Sequence, residues 1–331
     1  MKMRKIGQSG LETSALGLGC MAMSEFYGAF DEVENLTTLE RAMEIGLSML
    51  DTADLYGDGS NEELLGRFLA KTKYKPLIAS KCGIVRTTEM MSDGNFKRER
   101  CGTPEYIRSS CDKSLQRLGV DVIDLYYLHR VDPNVPVEDS MGALADLKAA
   151  GKIRAIGLSE PSVDELRRAN TVVPVDAVQS EYSLWTRLIE DEVLPVIRAT
   201  GASLVCFSPL GRGLLRQTGA APKLDADDFR RTLPRFSQDN FDANAPLFDL
   251  LDATADGAGM TVPQLMLVWL LAQGDDIVPI PGARKIAHLE QNVAAIDLTV
   301  DTATLDVLSD AFATHAIAGG RYTEGKTLEK A

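Results

Sequence analysis

The sequence predicts an eight-stranded α/β barrel, the (β/α)8 or TIM barrel, as one domain over residues 1–331. Short apolar runs alternate with segments of helical period eight times along the chain. No shift in composition divides it. Its 331 residues lie within the range of one such barrel. A doubly wound sheet needs fewer strands and usually places a glycine-rich phosphate turn after the first.

Residues 2–14 carry a turn at Gln8-Ser9-Gly10 between two short alternating pieces and read as an N-terminal hairpin. Residues 15–21 are the first barrel strand, with an amphipathic helix over 33–46. The second strand is 47–51, followed by a helix from Ser60 to Ala70, and the third strand is 76–81. Thr103-Pro104-Glu105 starts a helix, with Thr as N-cap and Pro in the first position, and Gly119 stops it. The fourth strand covers 121–129, and its helix over 138–150 closes at Gly151. Strands at 153–159 and 175–181 alternate with helices at 162–171 and 189–200. The seventh strand is 203–208, Thr261-Val262-Pro263 opens the next helix, and 277–281 and 284–295 complete the eighth unit. A short helix over 302–313 and a tail from Ala318 to Ala331 follow. Two long loops stand out, the polar stretch 84–102 after the third strand and 212–260 after the seventh. Both fall on the C-terminal face of the barrel, where loops decide what binds.

Bulk properties narrow the function. A net charge of −13 argues against nucleic acid or an anionic membrane as partner. Five cysteines with no C-x-x-C pair read as reduced thiols of a cytoplasmic protein. The three histidines show no ligand spacing with them, so no metal is expected. The basic start (Lys2, Arg4, Lys5) lacks the apolar stretch of a signal peptide. The most apolar run, Leu265 to Ala272, is far too short to span a bilayer.

Chemistry gathers at three successive strand ends: Asp51 and Tyr56 after the second, Lys81 after the third, His129 after the fourth. Taken singly, each residue type has a commoner use: a cap, a packed ring, a surface cation. A barrel brings its strand ends together, and the set then suits proton transfer. A phenol titrates near ~10. An ammonium from Lys81, positioned by Asp51, would lower that value and make Tyr56 a better acid toward a carbonyl oxygen. His129 would hydrogen-bond the carbonyl or share the relay. Hydride would come from a nicotinamide. Met21, Phe26, Tyr27 and Trp185, with Tyr56, His129 and the two long loops, are the candidate lining of a pocket for a small carbonyl compound. Gly17-x-Gly19-x-x-Ala22 fits a dinucleotide fingerprint, but Ser24 to Asp31 read as a loop where that motif needs a helix.

The chain resembles the aldo-keto reductases. The motifs are Gly-Leu-Gly-Cys-Met at 17–21, Leu-Asp-Thr-Ala-Asp-Leu-Tyr-Gly at 50–57, Ser-Lys at 80–81 and Leu-Tyr-Tyr-Leu-His-Arg at 125–130. They continue with Gly-Lys-Ile-Arg-Ala-Ile-Gly-Leu-Ser at 151–159, Gln-Ser-Glu-Tyr-Ser-Leu at 179–184, Ser-Pro-Leu-Gly-Arg-Gly at 208–213 and Pro-Ile-Pro-Gly-Ala-Arg at 279–284. Phe26-Tyr27-Gly28 and His129 to Asn134 are similar to the perakine-reductase-like and pyridoxal-reductase-like branch. The resemblance implies that Asp51, Tyr56, Lys81 and His129 are the catalytic tetrad, with Tyr56 the acid. It implies that Ser159 and Gln179 hold the nicotinamide carboxamide and that Phe207 stacks on its ring. Gly19, with Cys20 and Met21, would approach the nicotinamide end. Ser208, Leu210, Arg212 and Gly213 would follow the pyrophosphate. Gly282, Arg284, Gln291 and Asn292 would meet the adenosine phosphate, and Arg284 favours NADPH over NADH, since a guanidinium grips a 2′-phosphate through two donors. Two positions depart from the family pattern: Glu160 stands where many members have Asn, and His288 where some have Arg. Two other readings are a cofactor-binding regulatory subunit, as some relatives are, and a Lys81 Schiff-base aldolase.

Overall fold

The N-terminal hairpin forms as expected, from β1 (Met3–Ile6) and β2 (Leu11–Ser14), with Met3 opposite Ser14. The computed structural model describes residues 1–24, 30–90, 96–216, 221–225, 228–313 and 317–322. Next come β3 (Leu18–Gly19), β4 (Met49–Asp51) and β5 (Leu77–Cys82), then a second hairpin, β6 (Ile84–Met90) and β7 (Phe96–Arg100). The remaining strands are β8 (Ile123–Leu128), β9 (Ile153–Ser159), β10 (Ala177–Glu181), β11 (Ser203–Phe207) and β12 (Ile277–Pro279). Among the described residues, eight strands form one parallel sheet in the order β3-β4-β5-β8-β9-β10-β11-β12. The sheet closes on itself: Gly17 N–H donates to Pro279 O at 2.9 Å, Gly19 N–H to Pro281 O at 3.3 Å, and Gly19 bridges Gly282. Gly19 has no side chain for a reason, since a Cβ there would lie 2.8 Å from Ile280 O.

Helices ring the barrel: α1 (Glu32–Glu44), α2 (Ser60–Leu69), α3 (Pro104–Leu118), α4 (Val137–Ala149), α5 (Val163–Val172) and α6 (Val193–Thr200). Between β11 and β12 lie α7 (Gln238–Ala243), α8 (Ala245–Gly257) and α9 (Val262–Leu271), and after β12 come α10 (Ile286–Ala294) and α11 (Thr302–Ala311). The Thr103 hydroxyl accepts from Tyr106 N–H, as its N-cap reading requires, and Gly119 ends α3 in the left-handed region. Capping boxes start α5 (Ser162 with Glu165) and α9 (Thr261 with Gln264).

Strand side chains alternate between two apolar masses. Met49, Leu77, Ala79, Leu125, Tyr127, Ala155, Ala177, Val205 and Val278 fill the barrel, and Ile6 of the hairpin joins them. Tyr126, Leu128, Ile156, Leu158, Val178 and Leu204 face the helices. The inward phase runs on to the C-terminal strand ends, where it places Asp51, Lys81, His129, Ser159, Gln179 and Phe207 around one mouth.

The structure differs from the sequence reading in four places. Residues 84–102 are not an irregular loop but carry the antiparallel pair β6/β7, in which Lys97 of β7 reaches Glu89 of β6 and Glu99 of its own strand, each at 3.1 Å. Without an apolar stripe, the usual strand signal is missing. The loop after β11 is largely helical, with Phe248 and Leu251 of α8 buried in the outer core. The first barrel strand is regular only over Leu18–Gly19, and α6 begins at Val193 rather than 189. Within the described residues, no helix is long and apolar enough to cross a membrane.

One inward glycine sets the spacing around the mouth. Gly157 pairs with Tyr127, and a Cβ on it would lie 2.1 Å from Tyr127 Cδ1 inside the filled barrel. Gly157→Ala is expected to destabilise the fold by about 1–3 kcal/mol through overpacking. Urea unfolding of the two proteins measures it, and equal midpoints would show that the Tyr127 ring can move aside.

Candidate active site

The loop after β4 is built to deliver Tyr56 beside Lys81. Thr52 N–H donates to Ala79 O at 2.8 Å and Asp54 N–H to Lys81 O at 3.1 Å, so the loop runs along β5. The Thr52 hydroxyl donates to Asn61 Oδ1 at 2.7 Å, and Asn61 Nδ2 donates to Cys20 O at 2.9 Å, fixing the loop to α2 and to the end of β3. The chain then turns sharply through Gly57, Asp58 and Gly59, all at positive φ. A side chain at Gly57 would also strike Ser60 Oγ, 2.2 Å from its Cβ position.

Lys81 is fully buried and has its three donors committed. Its Nζ donates to Asp51 Oδ1 at 2.5 Å, to Thr52 O at 2.7 Å and to the Tyr56 hydroxyl at 3.2 Å. The other Asp51 oxygen, Oδ2, accepts from Gln179 Nε2 at 2.8 Å. His129 follows β8, its N–H donating to Cys82 O at 2.6 Å, and its ring meets that of Tyr56 edge-on at 5.9 Å. The four predicted catalytic side chains therefore meet at one point.

Their protonation states follow from burial and charge. Burial opposes the Lys81 ammonium, but contact with Asp51 and Tyr56 outweighs it and holds its pKa above the ordinary lysine value. Burial displaces the Tyr56 phenol upward. Lys81 and Arg130 pull it down and Asp51 pushes it up, with a net rise. The expected fall does not occur in this state, because burial outweighs the pull of Lys81, which Asp51 also partly offsets; Tyr56 is a protonated acid at neutral pH. Burial, with Lys81, Arg130 and Arg98 nearby, drives His129 well below its usual value, so its imidazole is neutral. Its Nδ1 is buried without a hydrogen-bond partner.

The other predicted residues are distributed around this centre. Ser159 and Gln179 are buried and paired in register on β9 and β10. Phe207 ends β11, half-buried. Beyond it Ser208, Gly211, Arg212 and Gly213 all have positive φ, which folds the backbone into a tight arc around Leu210. For Ser208 and Arg212 that conformation costs on the order of 1–3 kcal/mol each. Cys20 is fully buried, its N–H donating to Asp51 O at 2.9 Å and its carbonyl accepting from Asn61, and burial pushes its thiol pKa far up. Met21 packs on the cluster of Ala53, Leu55, Tyr56 and Ile84. Gly282 is exposed beside Gly19. Arg284 is half-buried, its carbonyl accepting from the Thr38 hydroxyl at 2.8 Å. Asn292 is buried on α10, and Gln291 next to it offers its carbonyl to Gln264 Nε2 at 3.2 Å.

Trp185 does not line the mouth. It is fully buried, edge-on to Phe312 at 4.9 Å and tilted against Phe248 at 5.1 Å. Gly211 lies so close to it that a Cβ there would fall 2.4 Å from Trp185 Cδ1. Its role is to support the 208–213 arc from beneath. Phe26 and Tyr27 lie outside the described residues.

Some site residues were not singled out by sequence reasoning. Arg130 Nη1 donates to His129 O at 2.7 Å and to Ser159 Oγ at 3.0 Å, linking the catalytic and nicotinamide candidates. Its signal was adjacency to His129. Glu181 is buried at the end of β10 among Arg321, Arg212 and Arg235. Burial raises its pKa, but these guanidiniums and the Thr186 hydroxyl bring it down to about 2. Arg212, expected along a pyrophosphate, here donates to Glu181 Oε2 at 3.3 Å and to the Tyr322 hydroxyl. Among the described residues, no cluster of acids, cysteines and histidines could hold a metal ion.

The chain belongs to the aldo/keto reductase family, whose model matches residues 15–311. It is 40% identical over 323 residues to a protein of Glycine max named "Probable aldo-keto reductase 1", covering 97% of this chain and 92% of that one. The solved glycerol dehydrogenase AKR11B4 from Gluconobacter oxydans superposes with a TM-score of 0.85 at 28% identity, covering 99% of this chain and 98% of the other. The aldo-keto reductase AKR11C1 from Bacillus halodurans, in its holo form, gives 0.76 at 26% identity, covering 96% and 98%.

One group near Tyr56 gives the fold a pH dependence. Asp54 accepts from the Tyr106 hydroxyl at 3.1 Å, and its Oδ1 is buried without a hydrogen-bond partner. Burial and nearby Glu62 push this carboxyl up to about 7, against the pull of Tyr106 and Arg117. In an unfolded chain an aspartate titrates near ~3.9. Between these values the folded protein keeps a proton that the unfolded chain has released, so this group's contribution to stability falls as pH rises from about 4 to about 7. Asp54→Asn is expected to gain stability relative to the parent across that window, read from urea unfolding at pH 5 and pH 7.5. A constant difference between the two proteins would place the ionisation elsewhere.

Proposed function

We propose that the protein reduces an aldehyde or ketone to the alcohol with NADPH, Tyr56 giving the proton. The observation that carries this reading is Lys81 Nζ bonded at once to Asp51, to Thr52 O and to the Tyr56 hydroxyl. A protonated phenol at a cleft mouth is a proton donor that needs a nearby cation when it ionises. Lys81 is that cation, and Asp51 keeps it protonated and in place. Neutral His129 would hydrogen-bond the carbonyl oxygen and align it with the Tyr56 hydroxyl. Arg130, bonded to the His129 carbonyl, adds positive charge near the phenolate that forms.

The residues present suit a nicotinamide cofactor. Ser159 and Gln179 offer a hydroxyl and an amide side by side, Phe207 offers a ring, and the tight left-handed backbone at 208–213 would hold the phosphates. When bound, NADPH would supply the hydride. Arg284 would grip its 2′-phosphate, with Gly282, Gln291 and Asn292 around the adenosine. Gln179 would then divide its hydrogen bonds between Asp51 and the carboxamide, which couples cofactor binding to the catalytic acid. A Schiff-base role for Lys81 is disfavoured, because such a nucleophile must lose its proton and this ammonium is held charged.

The experiment is titration of NADPH and then NADH by protein fluorescence, with turnover of 4-nitrobenzaldehyde in the same samples. Tight NADPH binding with turnover is expected; binding without turnover on a broad carbonyl panel would favour a regulatory subunit. Tyr56→Phe should lower kcat by roughly 10²–10⁴-fold with NADPH affinity retained, and unchanged turnover would remove Tyr56 as the acid. Arg284→Ala should weaken NADPH by about 2 kcal/mol, roughly 30-fold, and leave NADH little changed. Equal losses would place the 2′-phosphate elsewhere.

A further inference from the structure

The C-terminal segment 317–322 returns across the mouth of the barrel and reaches two adjacent strand ends with one side chain. Arg321 Nη2 donates to Glu160 Oε2 at 3.0 Å and Nε to Glu181 Oε2 at 3.1 Å. Glu160 follows Ser159 at the end of β9, and Glu181 closes β10 two residues beyond Gln179. The two strand ends are already laced together here. Glu160 N–H donates to Gln179 O at 2.9 Å, and Glu181 N–H donates to Glu160 Oε1 at 2.8 Å. That lacing requires φ of +53° at Glu160, a conformation that a glutamate adopts only when its surroundings impose it. A carboxylate held by a neighbour's amide on one oxygen and a guanidinium on the other is so imposed.

The segment is seated by more than this contact. Asn244 and Ala318 exchange two hydrogen bonds, side-chain Nδ2 to carbonyl at 3.0 Å and N–H to Oδ1 at 2.9 Å. Arg235 donates from Nε to Gly319 O at 3.0 Å and from Nη1 to the Thr186 hydroxyl at 2.8 Å, which in turn donates to Glu181 Oε1 at 2.8 Å. Tyr322 lies against the guanidiniums of both Arg212 and Arg321. The segment thus ties α7 and α8, the 208–213 arc and the ends of β9 and β10 into one unit.

We propose that Arg321 is a positioning residue for the nicotinamide end of the site. By bridging Glu160 and Glu181 it fixes the strand ends that carry Ser159 and Gln179, and so sets how long a bound nicotinamide stays. This rests on the cofactor reading above. Both carboxylates need a cation there: Glu181 is buried and Glu160 nearly so. Without Arg321, Glu181 keeps Arg212, but Glu160 loses its ion-pair partner and the imposed turn relaxes. Lysine can reach one carboxylate but cannot span two with a planar fork.

The test uses the full chain with Arg321→Ala and Arg321→Lys. Hydrogen exchange of the protein without added cofactor is followed in peptides covering 153–163 and 177–186. Exchange at these strand ends is expected to be about tenfold faster in the alanine variant and intermediate in the lysine variant. NADPH dissociation by stopped-flow fluorescence is expected to be about fivefold faster, in the same order of variants. The KM for the carbonyl at saturating NADPH should move less than the dissociation rate. Strand-end exchange equal to that of the parent, or unchanged NADPH dissociation, overturns the role of Arg321 alone. If the parent binds no nicotinamide, the cofactor reading itself falls, and the role given to Arg321 falls with it.

Discussion

The ion pair between Lys81 and Asp51 is the constraint to which the rest of the mouth is fitted. An isolated ammonium at full burial is too costly to persist, and breaking a buried pair by removing one partner costs about 3–5 kcal/mol. The fold therefore surrounds this pair with obligatory neighbours. Thr52 turns its carbonyl toward Nζ, Gln179 closes the second carboxylate oxygen, and the Tyr56 hydroxyl takes the remaining ammonium proton. The same arrangement that satisfies the charge leaves a phenol as the group able to meet a ligand. Stability and the proposed chemistry thus draw on the same few hydrogen bonds.

Much of this was readable before any coordinates, because a barrel converts strand phase into position. Leu77, Ala79 and Lys81 share one phase of β5, as do Met49 and Asp51 of β4, and Leu125, Tyr127 and His129 along β8. One or two apolar residues at alternate positions mark the inward face of each strand, and the next residue in phase is the one at the mouth. Helix starts at Thr103, Ser162 and Thr261 were legible for a different reason: capping is local and its partners lie within one turn.

What the sequence concealed depends on partners far apart in the chain. Trp185 read as a possible lining residue because an aromatic near a strand end looks the same whether Phe248 and Phe312 cover it or not. The β6/β7 pair has no apolar period, and Lys97 of one strand pairs with Glu89 of the other. The upward displacement of Tyr56 comes chiefly from its burial, which is set by residues packed around it from several parts of the chain. Glu160 was visible as a departure from the family pattern, yet its partner lies in the C-terminal segment and no local pattern connects them.

The seam where the barrel closes has a consequence for how the protein comes into being. Gly17 and Gly19 stand near the start of the chain, and the backbone groups that complete their hydrogen bonding belong to Pro279, Pro281 and Gly282. Contacts between such distant segments carry the largest loop-closure cost and form late. During synthesis the first strand must wait, one edge unpaired, until nearly the whole polypeptide has emerged. Gly282, Arg284, Gln291 and Asn292, the candidate adenosine-phosphate residues, follow β12 at this seam, so a chain that stopped short of β12 would lack both the closed barrel and that part of the candidate cofactor site.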